Sequence, residues 1–129
     1  MGYEVVTPPG TDEALAATGT EVIEATKELG LNIDIQGFLH SWITGTRVVV
    51  HRNGEGKIDT LAIMAVGKRW IHSDVTASML ELRGVETEGM MNFCRTLAKF
   101  AGAGSMFVEQ PTVEKLDDRR IYTVHEIFL

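Results

Sequence analysis

The stretch SMLELRGVETEGMMNFCRTLAKFAGAGSMFVE, residues 78–109, reads as an apolar strand, a tight polar turn, an amphipathic helix and a second apolar strand. In the helix, Met90, Cys94, Leu97, Ala98 and Ala101 recur on one face, whereas Asn92, Arg95 and Lys99 fall on others. That helix is expected to lay its apolar face on a sheet. Gly102-Ala103-Gly104 ends it, and residues 105–109 return as a short buried strand. The turn Arg83-Gly84-Val85-Glu86-Thr87-Glu88-Gly89 sets the C-terminal end of a strand against a helix N-terminus. Free backbone N–H groups at such a junction hold anions, but two carboxylates, Glu86 and Glu88, stand among them here.

Upstream, residues 3–7 form a short β-prone run that Pro8-Pro9-Gly10 stops. Thr11 then caps a helix whose first turn carries Asp12 and Glu13, acids that suit the positive end of a helix. Leu15, Thr18, Val22, Ala25 and Leu29 make its stripe, and Gly30 ends it. A second helix is expected over about residues 34–43, with Ile35, Phe38, Leu39, Trp42 and Ile43 on one face. From Arg47 the pattern turns extended. Val48-Val49-Val50 leads to a hairpin turn at Asn53-Gly54-Glu55-Gly56. Residues 57–66 return as a long strand, apolar on both faces from Leu61 onward, which places it at the sheet centre. Gly67-Lys68-Arg69-Trp70 turns the chain into a strand over 74–82. Downstream, Pro111 opens a polar connection reaching Arg120, and residues 121–129 alternate as a closing strand.

The 129 residues suit one domain with a single substantial core. A formal net charge of -6 disfavours nucleic acid and anionic membranes as partners, since both call for a basic surface. Cys94 is the only cysteine, so no intrachain disulfide forms and a reducing compartment fits best. No apolar run nears the roughly 20 residues that span a bilayer, and Met1-Gly2-Tyr3-Glu4 lacks the basic and apolar regions of a signal peptide. A protein that is neither transmembrane nor secreted by a signal peptide is expected.

The order strand, helix, helix, hairpin, long central strand, turn, helix, strand, final strand resembles the GCN5-related N-acetyltransferase (GNAT) fold over most of the chain. The resemblance implies a single α/β (α+β) domain, a mixed central sheet with helices on both faces. It implies that the strands at 74–82 and 105–109 are parallel neighbours that splay apart. Acyl-CoA would lie in the gap, its pyrophosphate on the helix starting near Glu88. The family's pattern at this turn is Gln or Arg, two residues, Gly, one residue, then Gly or Ala. Arg83 matches the first position, while Glu86 and Glu88 stand at the two small-residue positions; a one-residue slip brings Gly84 or Gly89 into use. Arg83, Gly84 and Gly89 are thus the candidate cofactor-binding residues if acetyl-CoA binds. Glu81 and Glu109, on the two splayed strands, are the candidate general bases if the protein acetylates amines.

Two carboxylates beside a diphosphate repel it by about 1 kcal/mol each or more at interfacial dielectric. The family's fourth helix and leaving-group tyrosine have no counterpart in 110–120, and Tyr122, the nearest phenol, falls in a predicted strand. The expectation is a GNAT-like domain that binds no cofactor and serves as a structural or interaction component. The alternative is an acetyl-CoA-dependent N-acetyltransferase. Compact domains with a degraded CoA turn resemble the acetyltransferase-like proteins of tailed bacteriophages. That resemblance implies a virion or host-cytoplasm location, with other proteins, virion proteins among them, or further copies of the chain as partners.

Other constellations carry less chemistry. His72 and Asp74 offer two metal ligands without a companion cluster, so no metal site is expected and a solvated turn is the better reading. His40, His51 and His125 are isolated in sequence and meet only by folding. Cys94, on an apolar stripe, reads as a buried inert thiol. Lys68-Arg69-Trp70 with Arg52 raises phosphate binding and base stacking, yet in an acidic chain a solvated hairpin end is preferred. Met79, Met90, Met91 and Met106 read as core filler, and Trp42 as core. Tyr122, Val124, Ile127 and Phe128 place apolar groups on both faces of the closing strand and mark it as an edge for protein contacts.

Overall fold

The structure, a computed structural model, describes residues 2–6, 12–31, 34–68, 75–116 and 119–129, with backbone alone at 12–18, 35, 43–44, 68, 109–116 and 119–125. The elements are β1 (Tyr3–Val6), α1 (Asp12–Glu28), α2 (Ile35–Thr44), β2 (Arg47–Arg52), β3 (Ile58–Lys68), β4 (Val75–Gly84), α3 (Thr87–Phe100), β5 (Ser105–Leu116) and β6 (Arg119–Phe128). The strands form one sheet in sequential order, antiparallel throughout except where β4 and β5 run parallel. A parallel pair needs a crossover, and α3 supplies it.

The local signals act as the sequence suggests. At the end of α1, Gly30 takes a φ of +79°, a conformation that costs glycine little. The Leu31 amide then reaches back to the Thr26 carbonyl at 2.9 Å, which closes the last turn. Asp34 caps α2, its side chain accepting from the Gly37 amide at 3.2 Å. In the β2–β3 turn, the Asn53 side chain accepts from the amides of Glu55 and Lys57 at 2.9 and 3.1 Å.

Strand alternation divides the core in two. Val49, Ala62, Met64, Ala77, Met79, Met106 and Val108 face α3, where Met90, Cys94 and Ala98 meet them, all buried. Val48, Val50, Leu61 and Ile63 face the other way and pack on Val22 and Ala25 of α1 and Phe38 and Trp42 of α2. One sheet thus carries helices on both faces, as expected. Trp42 is 1% exposed and donates its indole N–H to the Val6 carbonyl at 2.8 Å, joining α2 to β1. A ring that size with its polar atom satisfied contributes about 3–5 kcal/mol relative to alanine.

The C-terminal quarter departs from the sequence reading. The polar connection expected from 110 to 120 is instead strand: β5 continues to Leu116 and β6 begins at Arg119. Pro111 breaks only the register, which shifts between Pro111 and Lys115. Proline lacks the N–H a two-sided strand needs, but beyond Val108 β5 pairs with β6 alone, so one side makes no such demand. Glu109 accordingly sits within a strand rather than at its end. Arg83 and Gly84 likewise belong to β4 rather than to the turn. Among the described residues no helix is long and apolar enough to cross a membrane. His72, Asp74, Arg69 and Trp70 lie outside the described residues, as does the side chain of Lys68.

Candidate functional site

β4 and β5 pair over four positions, from Thr76 opposite Ser105 to Met79 opposite Val108. Past that point β4 follows β3 as far as Gly84, β5 follows β6, and the two part. The expected parallel neighbours that separate are therefore present. At the point of parting β4 carries a bulge: Met64 faces Met79 while Ile63 faces Glu81, so Leu80 is the extra residue. A bulge re-aims side chains. Here it sets Leu80 and Glu81 together on one groove, lined also by Asp34, Gly37, Phe38, Ser41, Thr46 and Ile63, with a volume of about 280 Å³. Leu80 is 48% exposed, and Glu81 is half-buried.

The other end of the opening is the start of α3, and it is crowded. Gly84 has a φ of +136°, and a Cβ there would collide with the Asp59 carbonyl and the Thr60 backbone. This glycine serves the close approach of β4 to β3. The next two amides are bonded to β3 as well: Val85 N–H donates to the Asp59 carbonyl at 3.3 Å and Glu86 N–H to the Thr60 hydroxyl at 2.9 Å. Gly89 is covered by the Tyr3 hydroxyl, which occupies the place of a Cβ, with the Glu86 carboxylate 3.9 Å from that place. Arg83 is half-buried, its guanidinium 3.5 Å from the Leu82 carbonyl.

A hydrogen-bonded chain lies beneath this junction. The Thr60 hydroxyl donates to Asp59 Oδ1 at 3.1 Å, and the same oxygen lies 2.7 Å from His51 Nδ1. An acceptor there holds a proton on Nδ1 of the neutral imidazole. The Tyr3 ring packs on His51 at 4.6 Å between centroids and on Phe93 at 5.3 Å. Burial first, then the carboxylates of Glu86 and Asp59, pushes the Tyr3 phenol above its usual pKa. Sequence reasoning did not find this cluster. The signal was the hairpin register: pairing His51 with Thr60 brings His51 beside Asp59.

Of the candidate residues, Glu81 lines the groove and Glu109 occupies the first position of β5 past the last pair with β4, its side chain outside those described. Arg83, Gly84 and Gly89 all gather at the junction of β4 and α3. Cys94 is buried, and burial pushes its thiol up to about 12. Among the described residues no group of three His, Cys, Asp or Glu side chains could hold a metal ion.

No protein-family model matches the sequence, and neither does any curated protein. Solved structures do match. A GNAT family acetyltransferase from Staphylococcus aureus is 9% identical with a TM-score of 0.63, over 91% of this chain and 96% of that one. A ribosomal-protein-alanine N-acetyltransferase from Brucella melitensis is 7% identical with a TM-score of 0.66, over 88% and 83%. An aminoglycoside acetyltransferase from an uncultured soil metagenomic sample, in complex with trehalose, is 14% identical with a TM-score of 0.62, over 90% and 79%. At such identities the likeness is one of fold. The fold is a single GNAT-like α/β domain.

Proposed function

We propose that the chain is a non-catalytic GNAT-like domain whose work is structural, through contacts with other proteins. The observation that carries this is the state of the α3 N-terminus. Backbone N–H groups there are what a nucleotide diphosphate would use. One of them, on the N-cap residue Glu86, is already donated to Thr60 of β3, as is the preceding Val85 N–H to Asp59, and Tyr3 and the Glu86 carboxylate lie over Gly89 in the first turn. Acids in a first turn stabilise the helix itself, which accounts for Glu86 and Glu88 without a ligand. In this reading the residues present do not suit the diphosphate of acetyl-CoA.

Isothermal titration with acetyl-CoA tests this reading. No heat at millimolar ligand is the expected result, and micromolar binding would overturn it. A bacteriophage virion as the setting is part of the same proposal and rests on the family resemblance alone. Flanking capsid, portal or tail genes are expected, and a neighbourhood of metabolic genes would remove that part.

The second reading, an acetyl-CoA-dependent N-acetyltransferase, is favoured by one observation. The bulge at Leu80 turns Glu81 into a groove at the mouth of the strand opening. In that reading Glu81, or Glu109 across the gap, takes the proton of an amine. Micromolar acetyl-CoA binding together with loss of acetyl transfer in Glu81→Gln would establish it.

A further inference from the structure

The turn between β2 and β3 carries chemistry of its own, far from the strand opening. Asn53 and Gly54 are exposed at its tip, and a Cβ at Gly54 would meet nothing within 4 Å. The Asn53 side-chain oxygen accepts from the amides of Glu55 and Lys57 at 2.9 and 3.1 Å. Its backbone is held as well, the amide donating to the Lys57 carbonyl and the carbonyl accepting from Gly56 N–H, both at 2.9 Å. Two groups stand outside this network. Among the described residues, neither the Gly54 N–H nor the Asn53 Nδ2 has a hydrogen-bond partner.

Those two groups are the nucleophile and the leaving group of a reaction between an asparagine side chain and its own backbone. The succinimide that forms is a ring of Asn53 Cγ, Cβ, Cα and C with the Gly54 nitrogen. The hydrogen bond from Glu55 N–H to the Asn53 oxygen closes a larger ring containing all of those atoms, so the fold holds them curled as the reaction requires. The two N–H donors polarise the Cγ carbonyl and meet the oxygen on which negative charge develops. Glycine has no Cβ to shield the attacking nitrogen. Hydroxide takes the Gly54 amide proton, the nitrogen bonds to Cγ, and the Cγ–Nδ2 bond breaks to release ammonia, which regains a proton from water. Water then opens the ring at one of its two carbonyls, returning a hydrogen to the Gly54 nitrogen and leaving a carboxylate.

We propose that Asn53 is a self-modifying site, converted in the folded chain to aspartate and β-linked aspartate. The change adds a negative charge beside Glu55 in a chain already at -6. The β-linked form also takes the Asn53 carbonyl out of the backbone, where it accepts from Gly56 N–H. Arg52 donates to the Gly56 carbonyl at 3.0 Å and pairs with Glu4 and Glu21 at 2.6 Å each, so the altered turn loosens the tie of β1 and α1 to the hairpin. None of this depends on whether a cofactor binds. The full chain, kept for weeks in warm, mildly alkaline buffer, is digested and read by mass spectrometry. Asn53 should gain about one mass unit as NH2 becomes OH. It should do so about tenfold or more faster than Asn92, which is exposed but followed by an amide that α3 holds. Methylation by an isoaspartyl methyltransferase should mark the β-linked product. Gly54→Ala, with its fold confirmed by circular dichroism, should slow the reaction by about tenfold. The same chain unfolded in guanidinium chloride should react no faster than the folded one. An Asn53 no quicker than Asn92 overturns the proposal. So does a Gly54→Ala chain that reacts at the original rate, or a folded chain slower than the unfolded one.

Discussion

At the start of α3, Val85 and Glu86 donate to β3, Gly84 lies against its backbone and Tyr3 covers Gly89. Beneath α2, across the same opening, a groove of about 280 Å³ leaves Leu80 half in solvent and Glu81 beside open space. One side is filled from within by strands far away in sequence, and the other is left for whatever arrives. The difference teaches that the two ends of the strand opening are held by separate contacts. One can close while the other keeps its shape, because the groove rests on a bulge in β4 and the α3 junction on the β1–β3 strands.

Substitutions should separate the two sides by energy. Gly84→Ala forces a Cβ into β3 at a φ of +136°, and thermal unfolding should show a loss of roughly 3–5 kcal/mol. Near-normal stability would break the account of a closed junction. The next effect is read by pH, under α3. The native Cys94 thiol keeps its proton to about 12, against an ordinary value of 9.0. Stability from this group is therefore complete below pH 9 and lost as the pH climbs towards 12, by roughly 2–4 kcal/mol. Urea unfolding across that window should show the slope, and Cys94→Ala should make it shallower, leaving the part that the raised Tyr3 phenol contributes.

Thr60→Val leaves the Glu86 N–H without its acceptor and Asp59 without one donor, at a cost of about 1–2 kcal/mol. Faster hydrogen exchange at the Glu86 amide is the accompanying sign. Leu80→Ser, on the open side, should shift stability by less than about 0.5 kcal/mol, because the side chain is already 48% exposed. A larger loss there would mean that the groove is sealed as firmly as its counterpart.

Much of this architecture was legible in the chain. The run Val48-Val49-Val50 with Leu61 to Val66 signals a two-faced central hairpin, and the structure divides those residues between two cores by parity. The stripe of Met90, Cys94 and Ala98 places α3 on the sheet, and all three are buried. Local periodicity carries that kind of information. The closing hairpin was misread because Pro111 is a strand breaker only where both sides of a strand must donate, and which sides are paired is a tertiary fact. The Tyr3–His51–Asp59–Thr60 chain was invisible for a similar reason. Its members come from three strands and meet through register rather than sequence spacing. Arg83, Gly84 and Gly89 were picked out for a ligand. A Cβ at Gly84 would meet β3 and one at Gly89 would meet Tyr3, a closeness that only backbone proximity reveals.

The parallel joint between β4 and β5 is four residue pairs long, yet the antiparallel meander β1–β4 meets the β5–β6 hairpin in the sheet only there. Met90, Cys94 and Ala98 roof that joint, packing over Ala77, Met79, Met106 and Val108. The helix is thus the clasp of the domain, and its docking is the event that turns two independent ribbons into one body. Cooperative unfolding should therefore begin with the release of α3, after which the hairpin is free to swing away as a unit.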